Sequence, residues 1–202
     1  MENPYWHPEV KPHSVDTESV RALLFEIYNL ITTSASLQGQ GGGHKEEEDG
    51  VEIEPGEPIQ PIEALHYQLA ERELSRKLLQ TAMMLRTLDD IYANAEGNEG
   101  YVAAMKVIDT RDTVGCFSSS KTKDLRFREA CNKIIHAQDI RPVYDSDDDR
   151  HWAHAKWGMD GTLELEGTQQ GMEWEVVIYM PPFLNAAVDI LNAIDEIRTR
   201  SA

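Results

Sequence analysis

From Ile62 to Ala95 the residues Leu65, Leu69, Leu74, Leu78, Leu79, Ala82, Leu85, Leu88, Ile91 and Tyr92 recur at helical spacing. A helix over that stretch would be roughly 50 Å long at 1.5 Å per residue. An element of that length in a chain of 202 residues has to be the spine of a bundle. Gly97-Asn98-Glu99-Gly100 ends it.

The other elements arrange themselves around this spine. A first helix is expected from Asp16 or Thr17 to about Leu37, with Val20, Leu23, Leu24, Ile27, Leu30 and Ile31 as its apolar stripe. A short helix follows the spine over Tyr101–Ile108, and residues 110–123 read as a loop. Another helix is expected over 124–138, capped by Thr122 or Asp124 and ending before Pro142. Residues 150–180 carry β patterning. Leu163 and Leu165 alternate with charged residues, Gly167–Gly171 is a hairpin turn, and Trp174, Val176 and Ile178 alternate in the return strand. Pro181-Pro182 stops that strand, and a last helix runs from Phe183 to about Arg198. The expected fold is mainly α: a four-helix bundle with a small antiparallel β-hairpin or sheet inserted before the last helix, all in one domain spanning 1–202. Residues 1–15 form an N-terminal arm, and the glycine-rich, acidic stretch 38–60 is a flexible solvated loop.

Charge narrows the classes of partner. Asp and Glu number 36 against 19 Lys and Arg, a net charge of −17. Long-range repulsion argues against DNA and against nonspecific nucleic-acid binding. The segment Lys121–Lys133 runs against this trend, with Lys121, Lys123, Arg126, Arg128 and Lys133 forming a candidate basic face. No apolar run is long enough for a membrane span, and the N-terminus has no secretory pattern, so a cytoplasmic protein is expected. Cys116 and Cys131 have no CxxC spacing. Cys131 reads as a core residue, and Cys116, in a turn-rich stretch, as an exposed one.

The helix over 124–138 carries the candidate site. Arg128, Asn132 and His136 are four apart and stack along one face, while Phe127, Ala130, Cys131, Ile134 and Ile135 face a core. A histidine exchanges a proton near neutral pH. An arginine grips a phosphate through two parallel hydrogen bonds, and an asparagine orients either partner. The same residues also have a structural use. Arg128 can pair with Glu71, Glu73, Asp89 or Asp90 on the long helix, Asn132 can satisfy a backbone group, and His136 can close a helix C-terminus.

The segment Asn132-Lys133-Ile134-Ile135-His136 resembles the last signature of the HEPN superfamily, helical bundles found among prokaryotic toxins and defence ribonucleases. The family pattern is an Arg, a polar residue, three further residues and a His. Asn132 and His136 match it, and Cys131 stands at the Arg position. The resemblance implies a bundle in which two such helices face each other across a homodimer. It also implies either a metal-independent endoribonuclease or an inactive partner subunit in a toxin–antitoxin or defence setting. In the enzyme His136 would be the acid/base, Arg128 the phosphate clamp and Asn132 the orienting group, with RNA as substrate. The altered Arg position and the acidic charge favour the interaction subunit, contacting a protein partner through the β-hairpin or the acidic loop. No cofactor and no metal are expected. His151 and His154 fall on opposite faces of a strand, and Asp145–Asp149 lack the pattern of a calcium loop. Trp152, Trp157 and Trp174 are candidates for a stacking platform or for the seam between sheet and helices.

Overall fold

A computed structural model describes residues 15–37, 60–111, 113–118, 120–146 and 157–201. Five helices account for most of these residues: α1 (Thr17–Leu37), α2 (Pro61–Ala93), α3 (Glu99–Arg111), α4 (Phe127–His136) and α5 (Met180–Ser201). The arm, nearly all of the acidic loop, His151, Trp152, His154 and Asp147–Asp149 lie outside the described residues. Among the described residues no helix is long and apolar enough to cross a membrane.

The helices begin where local chemistry allows. Asp16 accepts hydrogen bonds from the Glu18 and Ser19 amides at the start of α1. Pro61 opens α2, where its missing N–H is no loss, and Gln60 and Glu63 form a reciprocal capping box. Pro181 and Pro182 sit in the first turn of α5, whose first residue directly follows the last strand. The pair therefore starts the helix as well as ending the strand, since a proline is tolerated in the first turn.

The sheet is larger than a hairpin. β1 (Gly115–Phe117), β2 (Ser120–Asp124), β3 (Asp139–Ser146), β4 (Trp157–Gln169) and β5 (Met172–Tyr179) form one antiparallel sheet in the order β2-β1-β5-β4-β3. Two departures from expectation follow. The expected loop at 110–123 supplies β1 and most of β2, so strands come from both sides of α4 and not from 150–180 alone. Pro142 lies within β3. It fits there because β3 is an edge strand with a register shift between Pro142 and Tyr144. The β4–β5 hairpin closes tightly, with Gln169 opposite Met172. Gln170 and Gly171 occupy its turn at φ 53° and 78°, as a two-residue turn with both central residues left-handed requires.

One face of the sheet is covered by the helices, and among the described residues no helix packs on the other. Leu163, Leu165, Val176 and Ile178 are buried against the helices and share a core with Leu24, Ile27, Leu74, Leu78, Leu85, Phe183 and Ile190. α4 adds Phe127, Ala130, Cys131 and Ile134 to that core, and Phe127 stacks on Phe183 at 5.1 Å. Burying a side chain the size of Phe127 or Ile134 contributes about 1.5–3 kcal/mol. That contribution holds a ten-residue helix that would be marginal alone. Cys131 is buried as expected. Cys116 is also buried, against the expectation of an exposed thiol, because it lies in β1 with its Sγ 3.5 Å from the Tyr179 hydroxyl.

Candidate functional site

α4 is shorter than its expected span. Its N-cap is Arg126, and neither Thr122 nor Asp124 fills that role. The first amide, of Phe127, donates instead to Asp109 at the end of α3, 3.2 Å away. A carboxylate thus already occupies the positive end of this helix.

The three seam residues separate into two environments. Arg128 pairs with Asp89 and Asp90 of α2, reaching the Asp90 carboxylate at 2.9 Å. Asn132 accepts a hydrogen bond from Arg86 Nε at 3.0 Å, and Arg86 pairs with Asp90. Asp89 is only 7% exposed and also accepts from the Tyr101 hydroxyl at 2.9 Å. Two arginines face two aspartates, so the cluster between α2, α3 and α4 is neutral. Burial, followed by repulsion from Arg86, lowers the Arg128 pKa, and burial raises that of Tyr101 well above the ordinary tyrosine range.

His136 stands apart from this cluster. It is the last residue of α4 and is exposed. Contacts of Arg128 with Asp89 and Asp90, and of Asn132 with Arg86, show α2 and α4 running antiparallel. The His136 carbonyl lies over Gly167 of β4. A Cβ at Gly167 would overlap the six-membered ring of Trp174 and come within 3.0 Å of that carbonyl. Glycine at 167 is what lets Trp174 lie flat across the sheet at the foot of α4.

Trp174 is therefore in the seam between sheet and helix, half-buried. Lys133 Nζ sits 4.1 Å from its ring and 5.5 Å from that of Phe117, and Lys123 Nζ is 4.3 Å from the Phe117 ring. Arg86, Tyr101 and Phe117 were not legible as members of these clusters. The nearest signal was the spacing of Arg86, Asp89 and Asp90, which places all three on one face of α2. Among the described residues no group of three His, Cys, Asp or Glu side chains is placed to hold a metal ion.

The open face of the sheet is a second candidate surface. Across β3, β4 and β5 the residues Asp139, Glu166 and Glu175 stand directly opposite one another in a row. Glu164 and Glu173 lie on the same face. Arg141 reaches Asp139 and Glu166 and is the only basic side chain in the paired β3–β4–β5 rows of this face. No family model, no curated protein and no solved structure matches the chain.

Proposed function

We propose that the chain is a cytoplasmic interaction subunit of HEPN-like build, with α1, α2, α4 and α5 as its bundle, working in a toxin–antitoxin or defence setting. It engages a positively charged segment of a protein partner through the open face of the sheet. The observation that carries this reading is the row Asp139–Glu166–Glu175. Like charges placed directly opposite on neighbouring strands destabilise a sheet, and Arg141 offsets only part of the row. A basic partner segment supplies the missing countercharge. The state of the seam supports the same choice, because Arg128 and Asn132 already spend their polar groups on α2.

Binding of an oligolysine peptide, followed by calorimetry, tests this reading. Reversal of Glu166 or Glu175 to Lys is expected to weaken binding clearly more than reversal of Glu196, which is exposed on α5. Equal losses from all three would reduce the face to a share of the overall charge and sink the proposal.

One observation favours a second reading: the exposure of His136, three residues from Lys133 at the foot of α4. There His136 serves as the acid/base of a metal-independent endoribonuclease, Arg128 as phosphate clamp and Asn132 as orienting group, in a homodimer that brings two such helices together. RNA cleavage by purified protein, lost in His136→Ala with an unchanged fold, supports that reading. The absence of any cleavage at low salt ends it.

A further inference from the structure

In this acidic molecule the arginines are mostly tied to carboxylates: Arg21 to Asp195, Arg76 to Glu73, Arg111 to Asp189 and Arg200 to Glu196. Lys123 and Lys133 differ. Among the described residues neither makes an ion pair or a hydrogen bond, and both ammonium groups gather within 5.5 Å of the Phe117 ring, with Lys133 also over Trp174. Glu129, one turn before Lys133, acts on it electrostatically without closing to a contact pair. Burial, and then the charge of Lys123, makes the Lys133 ammonium easier to deprotonate than an ordinary lysine. Two cations thus converge on one aromatic floor that excludes water from one side and strengthens their field.

We propose that Lys123 and Lys133, held over Phe117 and Trp174, bind a phosphomonoester dianion. The charge count matches: two lysines meet a group that carries about −1.5 to −2 at neutral pH. Lysine binds phosphate as a point charge and needs no bidentate geometry. A compact dianion suits the place better than an extended polyanion. Asp124 adjoins Lys123, Glu129 lies one turn before Lys133, and the whole molecule carries −17, so every further phosphate meets repulsion. This surface is separate from the acidic row and stands or falls without it.

Titration of the isotope-labelled full chain by NMR tests the site. The probes are inorganic phosphate, a short phosphoserine peptide, its unphosphorylated twin and a single-stranded RNA oligonucleotide. Phosphate and the phosphopeptide are expected to shift the Trp174 indole N–H, and the unphosphorylated twin is not. K123Q and K133Q are each expected to weaken binding about tenfold, the loss of one charge-assisted contact, while K133R retains it. Both lysines lie at the surface of the patch, and unchanged amide spectra elsewhere show that the variants fold. Tighter binding of the phosphopeptide than of free phosphate assigns the dianion to a modified protein partner. Equal binding assigns it to a small phosphorylated molecule. A silent Trp174 indole, full binding by K123Q and K133Q, or tighter binding of the RNA at physiological salt would overturn the assignment.

Discussion

In the proposed HEPN-like reading, position 131 carries a thiol where that signature has a guanidinium. That thiol is buried, and burial pushes its pKa up to about 12. It is therefore neutral at physiological pH and cannot take over a phosphate-binding charge. A second residue at this scale is His66 on α2. Its Nε2 is buried with no hydrogen-bond partner among the described residues, and burial lowers its pKa below the ordinary histidine value of 6.5. The folded state then binds fewer protons at His66 than the unfolded state does as pH falls through about 6.5. His66 thus favours the folded state above that pH, and the advantage is lost progressively toward the lower folded pKa. We expect His66→Gln to flatten the loss of stability between about pH 7 and pH 5, read as the shift in urea midpoint. A variant that loses as much midpoint as the wild type over that range would show that His66 titrates normally.

At the scale of elements, α4 is held to α2 in two ways: by its apolar face and by the neutral cluster of Arg86, Asp89, Asp90, Arg128 and Asn132. Removing the most buried member should show how much the cluster matters. Asp89→Ala strips the Tyr101 hydroxyl of its acceptor and leaves Arg128 with the more exposed Asp90. A loss of about 2 kcal/mol is expected, below the usual cost of breaking a buried pair because Arg128 is 42% exposed. Asn132→Ala, which deletes one hydrogen bond, should lose about 1 kcal/mol. Urea unfolding of both variants checks the order, and a larger loss at Asn132 would contradict it. The pairing of Arg128 with Asp89 and Asp90 was legible as one of several options, because those acids lie on the long helix with its clear period. The tight β4–β5 turn was legible for a similar local reason, its glycine-rich turn. β1, β2 and β3 were not. Residues 115–124 have serines and lysines in place of an alternating apolar pattern, and Pro142 argues against a strand unless its edge position is known. Their pairing is decided by partners distant in sequence, such as Cys116 with Val177 and Ile140 with Leu165.

At the scale of the whole molecule, electrostatics act in two opposed directions. The pair of Arg128 with the buried Asp89 is partly shielded from solvent and responds less to salt than a pair in open water. The net charge of −17 and the row Asp139–Glu166–Glu175 face water and are screened readily. Repulsion should therefore fall faster than attraction as salt is added, and stability should rise between low salt and about 0.3 M NaCl, where the screening length shrinks to several Å. Glu175→Lys isolates the contribution of the row, since it turns a like-charge neighbour of Glu166 into an opposite one. At low salt it is expected to stabilise the protein by about 0.2–1 kcal/mol, and the gain should shrink as salt rises. The backbone carbonyl of residue 175, which accepts from the Ser118 amide, is untouched by the change. Paired urea titrations of the two proteins at both salt concentrations decide the matter. A destabilised Glu175→Lys, or a gain that does not depend on salt, would mean that the three carboxylates do not repel across the strands and would remove the physical basis for a positively charged partner on this face.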